Sequence, residues 1–245
     1  AIGSHGENAQ TGAAYVFVRS AQGGWIQQQR LVGSGIVAGS RFGNHVALDG
    51  DTLLVGAYFH TVTTERRGAA YVFVRNQGVW TQQTRLLAAD GDAFDFFGNA
   101  VALDGNTAVV GARSADLNGQ LRRGAAYVFE RNGTQWTLQA RLDASDGIGG
   151  APGDSYGDQF GYSVRVRGDD IWVGKYPGNG TITEPGRNGA VYHYHRNAGL
   201  WSEVEHFTPS TGSPGDGFGN AMDFDDHDLL IGANIEGTTP NEVPM

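Results

Sequence analysis

Phe42-Gly43-Asn44-His45-Val46-Ala47-Leu48-Asp49-Gly50-Asp51-Thr52-Leu53-Leu54-Val55-Gly56-Ala57 is the stretch from which the fold can be read. Two apolar runs flank Asp49-Gly50, and Asp-Gly between such runs is the strongest short-range hairpin signal, because both turn residues must reach positive φ. The stretch recurs. Phe97 to Ala112 repeats it with its turn at Asp104-Gly105, and weaker copies begin at Phe160-Gly161, where Arg167-Gly168 replaces Asp-Gly, and at Phe218-Gly219. The four Phe-Gly pairs are spaced by 55, 63 and 58 residues, longer than a usual solenoid repeat and suited to a four-stranded blade.

A second marker agrees with the first. Gly-Ala-Ala-Tyr-Val-Phe begins at Gly12, Gly68 and Gly124, a variant begins at Gly189, and a tryptophan follows each at Trp25, Trp80, Trp136 and Trp201. Beyond the hairpin come a variable polar loop, the β-rich run Ala70 to Val74, a turn at Asn76-Gln77-Gly78 and a strand from Val79 to Leu86. That makes four antiparallel strands per unit. One small sheet cannot bury both faces, so neighbouring copies must stack face to face. No window shows helical periodicity, and a β-sandwich does not require near-copies. The expected fold is all-β: a β-propeller of four four-stranded antiparallel blades forming a single domain over 1–245. Its units run approximately 1–41, 42–96, 97–159, 160–217 and 218–245. The first and last are read as complementary halves, the last two strands and the first two, that close the ring. The chain could instead be part of a larger propeller, or two chains could share half-blades.

Composition narrows the partners. A formal charge of −9 and a pI near 5.1 leave little positive charge for phosphate, which disfavours nucleic acid and anionic membrane surfaces. With no cysteine there is no disulfide framework and no thiolate metal site. The longest apolar runs fall far short of the roughly 20 residues that span a bilayer, so no membrane insertion is expected. The first residues, Ala1 to His5, carry neither an initiator Met nor a signal sequence, and the chain reads as mature, trimmed or partial.

The block Phe-Gly-x-x-Val-Ala-Leu-Asp-Gly-x-Thr-x-x-Val-Gly-Ala, at Phe42 to Ala57 and Phe97 to Ala112, resembles the FG-GAP repeat of the integrin α-subunit head. The resemblance covers nearly the whole chain. It implies propeller architecture, secreted or cell-surface placement, bacterial in this reading, and recognition of glycans or extracellular proteins by a loop face; it does not imply one activity. In integrin-type repeats an aspartate-rich loop between the first two strands binds calcium, a hard cation that needs several converging oxygens. Here that connection has shrunk to Asp49-Gly50 or Asp104-Gly105, too short to wrap an ion, so the family's calcium residues do not transfer. Calcium stays possible at Asp223, Asp225 and Asp228 near the end of the chain, and Asp90, Asp92 and Asp95 form the other metal candidate.

Just after the second strand of each unit the copies diverge. His5, Tyr58, Arg113, Tyr176 and Asn234 occupy comparable places, with Lys175 beside Tyr176. Variation at one place in a copied scaffold is how a grafted site reads, and tyrosines beside cations suit stacking on a sugar or peptide. These six residues are the expected ligand-binding set. Asp95, Asp158 and Asp216, each two residues before its Phe where Ser40 stands in another unit, read as turn residues that bond nearby backbone N–H groups. His193, His195, Glu203, Glu205 and His206 depart from the copied pattern and could form a zinc or acid–base group, but outer strands favour a plain surface cluster. No nucleophile elbow, metalloprotease helix or phosphate loop is present. The functional expectation is an extracellular recognition or adhesion module, monomeric or a shared-ring homodimer. The alternatives are a polysaccharide-degrading propeller using His5, Tyr58, Arg113 and Tyr176, or a structural repeat segment of a larger surface protein.

Overall fold

A computed structural model of the chain describes residues 1–150, 157–176, 189–211, 216–225 and 228–233. Five antiparallel sheets follow one another along the chain, and their strands pair in sequence order. The first sheet holds Ile2–Ser4, Ala13–Arg19 and Trp25–Leu31. The second holds Val46–Asp49, Thr52–Ala57, Ala69–Asn76 and Val79–Leu86; the third holds Phe97–Asp104, Thr107–Ala112, Ala125–Asn132 and Gln135–Leu142. The fourth holds Phe160–Arg167, Asp170–Lys175, Ala190–Asn197 and Leu200–Phe207, and the fifth holds Phe218–Phe224 and Leu229–Ala233. Both hairpins form where expected, but Asp49 pairs with Thr52 and Asp104 with Thr107, so the turn residues are Gly50-Asp51 and Gly105-Asn106 and only the two glycines take positive φ. These sheets are propeller blades. A short ribbon of Thr61–Val62 and Glu65–Arg66 lies in the loop after the second strand of the second blade.

Why the motif contains its glycines becomes plain between blades. A Cβ on Gly111 would sit 2.1 Å from the carbonyl oxygen of Gly161 in the next blade, and Gly56 stands in the same relation to Gly98. The Gly of Val-Gly-Ala thus faces the Gly of the following Phe-Gly, where only two bare backbones fit. Isolated bridges reinforce the contact at Gly12 to Phe42, Gly68 to Phe97, Gly124 to Phe160 and Gly189 to Phe218. The hairpin turns add another tie: Gly105 N–H donates to the Asp49 carboxylate at 2.7 Å, and Gly168 N–H donates to Asp104 at 2.5 Å.

The apolar core fills the spaces between blades. Ala14, Val16 and Leu31 of the first blade pack with Phe42, Leu53, Val55 and Tyr71 of the second, and two further clusters join the second blade to the third and the third to the fourth. The Phe of three of the Phe-Gly pairs meets the tyrosine of its own third strand edge to face, with centroids 5.4 Å apart for Phe42–Tyr71, Phe97–Tyr127 and Phe160–Tyr192. Full burial of such a ring stabilises by about 1.5–3 kcal/mol, with about 0.5–1.5 kcal/mol more from the pair.

The first blade corrects one expectation. Ile2–Ser4 pairs with Ala13–Tyr15 and takes the second-strand place, so this blade supplies three strands, not two. The fifth blade also supplies a second strand, Leu229–Ala233, so the two halves duplicate that strand instead of dividing four between them. Among the described residues no strand pairing joins the first blade to the fifth.

Candidate functional site

The loop face expected to carry function does bring side chains from successive blades together. Tyr58 follows the second strand of its blade, Arg113 follows the second strand of the next, and Tyr162 enters the first strand of the blade after that. The Arg113 guanidinium lies over the rings of Tyr58, Phe96 and Tyr162 at 6.0, 5.2 and 5.5 Å, each within cation–π range. Its backbone N–H donates to Asn99 Oδ1 at 3.0 Å, while Asn99 Nδ2 donates to the carbonyls of Gly161 and Tyr162. Asn99 therefore fixes the loop carrying Arg113 against the next blade. Tyr162 stacks on Tyr176 at 4.6 Å and 23°. On the other side Arg41 donates to the Tyr58 hydroxyl at 2.5 Å and lies over Phe59, which also meets Phe96 at 5.1 Å.

Beside this array a cleft of about 280 Å³ opens between the first strands. Its wall includes Tyr58, Arg113 and Tyr162 with His45, Asn99 and Arg165, and among the described residues no carboxylate lines it. Burial pushes the His45 imidazole below the ordinary histidine range, and the Arg165 charge pushes it further the same way. The ring is therefore neutral near pH 7. Nδ1 accepts the Val101 N–H at 3.3 Å, which leaves the ring proton on Nε2. In its neutral form His45 can donate a hydrogen bond.

Other expected site residues lie apart from this array. Lys175 is buried, with its ammonium 3.0 Å from the buried Asp158 carboxylate, so its charge is answered inside the fold. His5 is exposed in the first blade, and Asn234 lies outside the described residues. Arg41, His45, Phe59, Phe96, Tyr162 and Arg165 were not singled out from the sequence. A signal for two of them exists: Arg165 stands where the sister strands have Ala47 and Ala102, and Tyr162 where they have Asn44 and Asn99.

Among the described residues no three His, Asp or Glu side chains are placed to hold a metal ion. Asp90 accepts from the Tyr127 hydroxyl at 3.0 Å and from Arg141 at 2.7 Å, whereas Asp95 accepts the Asp92 N–H at 2.7 Å. Asp223 lies 3.9 Å from Arg165, and Asp225 accepts the Asp228 N–H at 2.9 Å. On the fourth blade His193 and His195 both bond Asp170 Oδ1, at 2.7 and 2.8 Å, and His193 stacks on Trp172. Glu203 is engaged by the N–H and hydroxyl of Ser145.

A family model for the FG-GAP repeat matches residues 25–73, 80–129 and 201–242, more than half of the chain. The first two matches run from the fourth strand of one blade to the third strand of the next, so each matched unit spans an inter-blade contact. No curated protein matches the chain. Among solved structures it is similar to TolB from Acinetobacter baumannii, at 13% identity and a TM-score of 0.39 over 81% of this chain and 38% of TolB. The chain spans well under half the length of that protein.

Proposed function

The chain belongs to the FG-GAP repeat family, and from that premise we propose that it is an extracellular recognition module whose loop face binds a glycan. The observation that carries this reading is the meeting of Tyr58, Arg113 and Tyr162, from three successive blades, around one cleft. Rings presented beside a guanidinium suit a sugar, whose C–H face stacks on the aromatic while its hydroxyls take the hydrogen bonds. Phe94, half exposed near Phe96, extends the aromatic surface.

The His45 tautomer makes this residue a donor to a bound ligand and not a proton acceptor. A general base needs a free lone pair on its neutral form, whereas Nδ1 of His45 is occupied by the Val101 N–H and Nε2 holds the proton. Retention on immobilised polysaccharides, followed by calorimetry, tests the proposal. Tyr58→Ala and Arg113→Ala are each expected to weaken glycan binding by about tenfold or more with the melting temperature held, and no polysaccharide is expected to be shortened. Binding untouched by both substitutions would reject this face, and chain cleavage would restore the enzyme reading. Failure to retain any glycan would favour a structural segment or a protein ligand.

A further inference from the structure

The proposed site has a charge opposite to that of the molecule around it. The chain carries a formal −9, yet the cleft wall holds Arg113 and Arg165 and, among the described residues, no carboxylate. Arg41 and Arg66 add two more guanidinium groups over Phe59, at 5.1 and 5.6 Å. Arg113 makes no ion pair and its guanidinium no hydrogen bond among the described residues; its surroundings are the three rings. Arg165 is answered by the Val164 carbonyl at 2.9 Å and, at 3.9 Å, by Asp223, a carboxylate 83% exposed to water. Several arginines elsewhere are closely matched: Arg141 by Asp90 at 2.7 Å, Arg196 by Asp169 at 2.7 Å and Arg75 by Asp51 at 2.7 Å. The two arginines of the cleft have no carboxylate that close. A guanidinium over aromatic rings keeps its in-plane N–H donors available, and that fork matches a carboxylate or sulfate in two parallel hydrogen bonds. His45 contributes a further donor and no negative charge.

Resting on the recognition reading above, we infer that the ligand is an acidic glycan, one whose uronate or sulfate group is taken by Arg113 and Arg165 while its ring lies on Tyr58 or Tyr162. At about 280 Å³ the cleft suits a single sugar unit of such a chain, since pockets for larger organic ligands run to about 300–1,000 Å³. Inside a repulsive field the two arginines act as a local sink: a diffusing polyanion is rejected by the rest of the surface and stabilised at the cleft, which gives selectivity for the site.

The test compares oligogalacturonate, its fully methyl-esterified form, a sulfated galactan oligomer, neutral galactan and a poly-glutamate peptide on the intact chain. Esterification removes charge without changing the protein, so the comparison does not depend on any variant folding. Oligogalacturonate or the sulfated oligomer is expected to bind about tenfold or more tightly than its uncharged counterpart. Arg113→Gln and Arg165→Gln should each remove most of that difference, and the affinity should fall as salt rises. Which of the two acidic oligomers binds identifies the anionic group. If neutral and acidic glycans bind alike, this inference fails while the recognition reading stands. If no glycan binds, both fail, and binding of poly-glutamate alone would transfer the site to an acidic protein.

Discussion

Ser40, Asp95, Asp158 and Asp216 take the same place before successive Phe-Gly pairs, and all four are buried. Ser40 and Asp95 each accept the N–H three residues earlier, from Val37 and Asp92, and Asp158 accepts the Ile148 N–H at 2.6 Å. The requirement at this place is an acceptor for a loop N–H, and the units differ in how they meet the charge that comes with it. Asp95 has Ala112 at the end of its second strand and, among the described residues, no ion-pair partner; burial raises its carboxyl to about 6 against the weaker pull of Arg141. Asp158 has Lys175 at the equivalent place. Two predictions follow from that contrast. A carboxyl held above its unfolded value contributes stability below about pH 3.8 that is lost as pH rises through about 6. Asp95→Ser, which keeps an acceptor as in Ser40, should therefore gain on the parent by about 2–3 kcal/mol between pH 4 and pH 8. Urea unfolding of both chains at the two pH values measures this as a difference, so other titrating groups cancel. Lys175→Ala leaves a buried carboxylate unanswered and should cost about 3–5 kcal/mol, while Asp158→Ser with Lys175→Ala reproduces the Ser40 and Ala57 pairing and should recover most of it. A double-mutant cycle that shows additivity would refute the coupling.

In the first, third and fourth blades, the third-strand tyrosine and the residue opposite it on the fourth strand form a recurrent tie to an acidic loop residue. Tyr127 and Arg141 are register partners and both bond Asp90; Tyr15 and Arg30 are partners and both bond Glu7. In the fourth blade Tyr192 bonds Asp146, and His206 replaces the arginine and packs on the tyrosine ring at 5.3 Å. This assigns Asp90 a structural partner set made of protein groups. Asp90→Ala should lower stability by about 1–3 kcal/mol, and the loss measured by thermal unfolding should be the same in calcium as in excess chelator. A calcium-dependent stability difference in the parent that vanishes in the variant would give Asp90 back its metal reading.

Across the described residues the first four blades touch their neighbours in sequence through apolar clusters, and glycine-to-glycine approaches continue to the fifth. Stability in such an array is close to a sum of blade and interface contributions. Gly111→Val places a branched side chain where a Cβ would already meet the Gly161 carbonyl at 2.1 Å. The third and fourth blades should then uncouple, and calorimetry should resolve two unfolding transitions where the parent shows one. Hydrogen exchange should locate the loss of protection at that interface. A single transition merely shifted in temperature would mean the backbones can separate without losing the array.

The repeat could be read without coordinates because its cause is local. Gly50 sets a turn by its own freedom to take positive φ, and the continuous apolar run Leu53-Leu54-Val55 follows from a strand buried on both faces. Tyr58 and Arg113 were likewise visible as departures from a copied pattern. What the order of residues could not show was which departures meet. Lys175 diverges from Ala57 and Ala112 as Arg113 diverges from Tyr58, yet one is neutralised in the interior and the other stays over three rings. The strand count of the first blade was hidden for a similar reason, since Ile2–Ser4 is too short to announce itself and is held by pairing with Ala13–Tyr15. Local sequence determined the blade; the packing of one blade on the next decided where each charge went, because burial and the distance to a counter-charge are properties of side chains brought together from different repeats.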